Sequence, residues 1–139
     1  MPEISFLKLL VPTAGPAPAK EKAEHVMRLA IKLHAEVLAL HILKNQNDNE
    51  KNKQGKEALK IFEDTGIKYN VKVNTFLTEG ELLPTIINFA KEKDVDLIVM
   101  GASEDGRMIA EWIVSDLRYK TDLPVVIEPH GFASITEHL

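Results

Sequence analysis

Short apolar runs alternate with amphipathic stretches of helical period along nearly the whole chain, and this alternation restricts the folds open to it. Phe6 to Val11, Val37 to Leu43, Leu97 to Met100 and Pro124 to Ile127 are apolar on consecutive residues. Strands that read this way are buried on both faces, as in a parallel sheet covered by helices. Parallel strands need crossover connections, and the intervening segments supply them. Between Ala19 and His34, the residues Ala23, Val26, Met27, Ala30 and Ile31 fall on one helical stripe. Gly55 to Thr65 is a weaker helix packing through Leu59 and Phe62, with Gly66 as its stop. Glu81 to Lys93 is a helix using Leu82, Leu83, Ile86, Ile87 and Ala90, and Pro84 is tolerable in its first turn. Gly106 to Tyr119 is a fourth helix, burying Ile109, Trp112, Ile113 and Leu117. The expected class is α/β, an open parallel doubly wound sheet in three layers, within one domain over residues 1–139.

Other segments carry their own expectations. Pro12 closes the first strand, and three prolines between Pro12 and Pro18 predict a loop. Asn45 to Gln54 is almost wholly polar and predicts a flexible surface connection or a lid. Tyr69 to Thr75 alternates apolar and polar residues, as a strand at a sheet edge should. The tail from Pro129 has no periodicity and is expected to be partly disordered.

Composition removes several function classes. The 139 residues include no cysteine, so disulfides, thiolate metal sites and cysteine nucleophiles are excluded. A net charge of -4 disfavours nucleic acid or an anionic membrane as partner. No run approaches the roughly 20 apolar residues of a spanning helix, and the start of the chain lacks a secretory pattern. The expected compartment is the cytoplasm. The five histidines form no metal-ligating pair. His34 ends a helix; His41 sits at the carboxyl end of the second strand, either contacting a base or serving the core.

In an open α/β sheet, ligands bind beyond the carboxyl ends of the strands. That directs attention to Asp96-Leu97-Ile98-Val99-Met100-Gly101 and the polar loop after it, Ala102 to Arg107. Three motifs here resemble the universal stress protein family. They are Leu9-Leu10-Val11-Pro12-Thr13-Ala14-Gly15, Ala35 to Ile42 with its closing His41-Ile42, and Asp96 to Gly101. The resemblance covers about Phe6 to Glu128. It implies five strands in the order 3-2-1-4-5, an adenine-nucleotide α-hydrolase-like fold, and a homodimer paired through the last strand, Val125, Val126 and Ile127.

The resemblance also implies a nucleotide pocket formed by Pro12, Thr13, Ala14, His41, Ile42, Met100, Gly101, Glu104 and Ser115. Its ATP-binding branch carries G-x2-G-x9-G-S/T after the fourth strand. Here Gly101 and Ser115 match, whereas Glu104 and Val114 replace glycines and Ala14 replaces the acid of the opening loop. A carboxylate about 5 Å from a phosphate costs roughly 3 kcal/mol at an effective dielectric of about 20. Asp105 adds to that repulsion, while a helix N-terminus returns only about 0.3–1 kcal/mol. Mg²⁺ bridging or Arg107 would soften the balance. The resulting expectation is a non-enzymatic, regulatory protein with a degenerate pocket, no resident cofactor, no metal and an unknown protein partner. Two alternatives stay open: an ATP- or adenylate-binding protein with slow or no hydrolysis, and a pocket turned over to another small ligand.

Overall fold

A computed structural model describes residues 7–13, 15–100 and 123–127. The elements in chain order are β1 (Leu7–Thr13), α1 (Pro16–Leu33), β2 (Ala35–Leu43), α2 (Asn49–Tyr69), β3 (Val73–Glu79), α3 (Leu82–Glu92), β4 (Leu97–Met100) and β5 (Val125–Ile127). All strand pairs are parallel, and the order is β3-β2-β1-β4-β5, with the three-residue β5 beside β4. The expected fourth helix and the tail from Pro129 lie outside the described residues.

Alternate residues of the inner strands feed two cores, as the period of two in a strand requires. Leu9, Val11, Val37, Ala39 and Val99 pack against Ala23, Val26, Met27 and Ala30 of α1 and Ala58 and Phe62 of α2. Leu10, Leu38, Leu40, Ile98 and Met100 pack on the other face, with Ile86 and Ala90 of α3. The molecule is therefore layered helix, sheet, helix. Each fully buried large side chain contributes about 1.5–3 kcal/mol of transfer free energy, so the sheet with its two faces is the stability centre.

Four expectations need correction. The loop expected over Pro12 to Pro18 is mostly regular structure: β1 runs through Pro12 to Thr13, and α1 begins at Pro16. A helix leaves its first N–H groups unbonded, so Pro16 and Pro18 lose nothing there. Likewise, most of the polar stretch Asn45 to Gln54 is the first part of α2. Asp48 caps that helix, its Oδ1 accepting from the Lys51 N–H at 3.1 Å. Nor does Gly66 stop α2; it is buried inside the helix, and Asn70 ends it in the left-handed region at φ 59°. Consequently Tyr69 closes a helix, and the third strand is displaced to Val73–Glu79, though it does occupy a sheet edge. Finally, Ile31 is 50% exposed, while Ala19 joins the buried stripe of α1.

Candidate functional site

The two sides of β1 behave differently near its carboxyl end. Toward β2 the register is continuous from Leu7↔Ala35 to Thr13↔His41. Toward β4 the pairs among the described residues are Leu9↔Leu97 and Leu10↔Ile98. The cause is Pro12. The carbonyl of Lys8 accepts from the Asp96 N–H at 2.9 Å, which places the even-numbered residues of β1 on the β4 side. Ile98 donates its N–H to the Pro124 carbonyl at 3.0 Å, which turns Leu97 and Val99 toward β1. The next rung would run from the N–H of residue 12 to the Val99 carbonyl, and proline has no N–H. That rung is missing.

The missing rung lies at the topological switch point. β1 leads through α1 to β2 on one side, whereas α3 delivers the chain to β4 on the other. Open α/β sheets bind ligands in the crevice beyond the strand ends at such a point. Backbone pairing thus assigns the crevice without reference to any ligand.

The Lys22 Nζ donates to the Pro12 carbonyl oxygen at 3.0 Å. Lys22 is only 7% exposed. Residue 22 stands three beyond Ala19 and four before Val26, in the middle of the buried stripe of α1. A lysine in such a stripe is the signal in the sequence that marks this residue, which belongs to none of the three motifs. Burying an ammonium costs several kcal/mol unless it is well partnered, so its location requires a chemical reason.

His41 is at the same edge but on the closed side. It is 6% exposed, and a hydrogen bond of 2.9 Å joins its Nδ1 to the Thr13 hydroxyl oxygen. Gly55 of α2 lies directly over the ring: a Cβ there would collide with it, standing 2.9 Å from Nε2. Burial holds the imidazole pKa below its ordinary value, while a hydrogen bond with the Thr13 backbone acts the other way. The ring is taken up between Thr13 and α2 rather than presented to the β4 side of β1. Sequence reasoning also missed Gly55, which begins the buried series Gly55, Ala58, Leu59, Phe62 and Gly66 on α2.

Of the residues expected to line a pocket, Pro12, Thr13, His41, Ile42 and Met100 are brought to the carboxyl edge. Ile42 is half-buried, Met100 is buried, and both belong to the core on the α3 side. Ala14, Gly101, Glu104 and Ser115 lie outside the described residues, as do Asp105, Arg107 and Val114. Among the described residues, no cluster of histidine, aspartate and glutamate could hold a metal ion, and no helix is long and apolar enough to cross a membrane. A shallow groove on α2, lined by Asn49, Asn52, Lys53, Lys56, Glu57 and Lys60, lies along a single helix rather than at the switch point.

Comparison with known proteins identifies the lineage. The model of the "Universal stress protein family" matches residues 5–115. The chain belongs to the universal stress protein family. A universal stress protein of Methanocaldococcus jannaschii is 31% identical over 111 residues, covering 70% of this chain and 65% of its own length. The match therefore spans a little under two thirds of that relative. Among solved universal stress protein structures, one from Archaeoglobus fulgidus in complex with dAMP aligns with a TM-score of 0.70 at 20% identity, covering 88% of this chain and 97% of that one. A family member from Arabidopsis thaliana with AMP bound aligns at 0.66 and 16% identity, covering 90% and 92%. Likeness at these identities carries the universal stress protein fold and leaves the ligand of this member to its own residues.

Proposed function

We propose that this universal stress protein is a cytoplasmic, non-enzymatic regulator that binds an adenine mononucleotide at the switch point between β1 and β4. The carrying observation is the β1–β4 rung that Pro12 cannot supply, at the switch point in strand order where this class of sheet takes ligands. The nucleotides in the related structures, dAMP and AMP, are monophosphates. A monophosphate also suits the departures from the polyphosphate cradle at Glu104, Val114 and Ala14. A binding role fits the placement of His41, the imidazole at this edge among the described residues, because the ring is committed to Thr13 and α2.

The test is stability with ligand. At a concentration 100 times its dissociation constant, a ligand adds about 2.7 kcal/mol. AMP should raise the unfolding free energy by about that amount, and Mg-ATP by less at equal concentration. A midpoint indifferent to both overturns the proposal, and steady release of phosphate from Mg-ATP overturns its non-enzymatic part.

The proposal includes a homodimer through β5. That strand ends the sheet, and Val125, Val126 and Ile127 carry no charge to discourage pairing. Sedimentation at micromolar concentration should give the dimer mass; a monomer would refute the pairing.

A further inference from the structure

The solvent side of α2 carries a charge pattern that neither the core nor the switch point uses. Residues 49–60 hold four lysines and two glutamates, a local excess of positive charge on a chain whose net charge is -4. Lys53, Lys56 and Lys60 are exposed and line the groove along this helix together with Asn52. Farther along, the lysines of α2 are paired: Lys60 with Asp64 and Lys68 with Glu24, each at 3.4 Å. Lys53 and Lys56 have no ion pair among the described residues. They stand near the N-terminal end of the helix and three residues apart, and both the macrodipole and the spacing work against positive charge there. Beside them, the Asn52 Oδ1 is buried without a hydrogen-bond partner. The amide is therefore not held in place, and a donor brought into the groove would remove the cost of its unmet acceptor.

We propose that this face of α2 docks a short, extended, acidic segment of a partner protein. Carboxylates of the segment pair with Lys53 and Lys56, and one of its main-chain N–H groups meets the Asn52 amide. The rise from Asn49 to Lys60 is about 16 Å at about 1.5 Å per residue. An extended segment of about five residues spans that length at about 3.3 Å per residue. A nucleic acid is the poorer match, because the negative charge of the rest of the chain repels a long polyanion. A short segment feels only this face, since screening removes charges beyond about 8 Å at physiological ionic strength. The surface is separate from the switch point and does not depend on the nucleotide reading.

Fluorescence anisotropy of the full chain tests it, with a labelled six-residue peptide of alternating aspartate and glutamate and its asparagine–glutamine counterpart. The acidic peptide should bind about tenfold or more tightly than the neutral one, as charge-assisted hydrogen bonds imply. Lys53→Glu with Lys56→Glu should remove that difference; both positions are exposed and acids suit this end of a helix, so the variant folds. Lys53→Arg with Lys56→Arg should restore it. Lys32→Glu with Lys91→Glu makes the same change in net charge at exposed positions on α1 and α3, and should leave affinity within about twofold. Asn52→Ala should weaken the acidic peptide about threefold or more through the lost hydrogen bond. Equal loss in the α1–α3 pair, or indifference to Asn52→Ala, reduces the effect to diffuse attraction and overturns the docking site. No preference for the acidic peptide overturns it outright. A single-stranded oligonucleotide of six nucleotides that binds as tightly as the peptide overturns the choice of a protein segment. Self-association of the free chain that is lost in Lys53→Glu with Lys56→Glu overturns that choice in favour of a second copy.

Discussion

The two seams of β1 show how differently one strand pairs on its two sides. On the β2 side the register runs the whole length of β1, and the end of the seam is packed by Thr13, His41 and Gly55. On the β4 side the last pair among the described residues is Leu10↔Ile98, and a buried lysine donates to the carbonyl of Pro12, which lacks the N–H for the next rung. Both contain a polar group that is costly to bury. In the first seam that group is the His41 imidazole, enclosed by Thr13 and Gly55; at the second it is the buried Lys22 ammonium, which donates to the Pro12 carbonyl. The contrast separates stability from binding, so mutations on the two sides should affect different measurements.

The largest effect belongs to the closed seam. Gly55→Ala places a methyl group against the His41 ring. Overpacking of this kind costs about 1–3 kcal/mol, partly offset by a helix propensity gain of about 1 kcal/mol. The expected net loss is about 0–2 kcal/mol by denaturant unfolding, with AMP affinity unchanged. Pairing it with His41→Ala should recover part of the loss, because the second substitution removes the ring that the methyl strikes. Strict additivity would show that the two do not meet.

This packing also explains what the sequence could and could not disclose. The apolar runs identified the strands because burial on both faces leaves no alternation to misread; Leu97 to Met100 was legible to the residue. Prolines misled in both directions, since Pro16 and Pro18 sit in the first turn of a helix, where their missing N–H groups are harmless. The polar start of α2 looked like a loop because a helix lying over a strand end buries only one residue there, and that residue is Gly55. The crevice was legible as a position beyond the strand ends. Its cause was not, because the consequence of a missing N–H depends on which neighbour the residue faces, and that follows from register rather than from spacing. Lys22 was visible as a charge in an apolar stripe, but its meaning required the Pro12 carbonyl opposite it.

A smaller effect separates the seams by pH. The His41 imidazole has a lowered pKa because it is buried. As pH falls through the unfolded value of about 6.5, the unfolded chain takes up a proton that the folded chain resists. Stability from this residue is therefore complete above that pH and is lost below it, until the folded pKa is reached. Unfolding free energy measured from pH 7.5 to 5 should decline, and His41→Gln should flatten the decline. An unchanged slope in the variant would assign the decline to other groups and leave His41 without the burial proposed for the closed seam.

The smallest change in stability tests the cause of the missing rung itself. Pro12→Ala supplies the N–H that the β1–β4 ladder lacks. If the missing donor is what interrupts the ladder, the new amide bonds to the Val99 carbonyl and the register extends by one rung. That bond contributes about 1 kcal/mol, and releasing the proline constraint on the unfolded chain takes back about 0.4–1 kcal/mol. The two nearly cancel, so the unfolding free energy should stay within about 1 kcal/mol of the wild type. Hydrogen exchange gives the clear signal: the amide of residue 12 should be strongly protected, and AMP affinity should fall as the crevice narrows. A residue 12 amide that exchanges as freely as a loop would mean that the missing donor is not what interrupts the ladder.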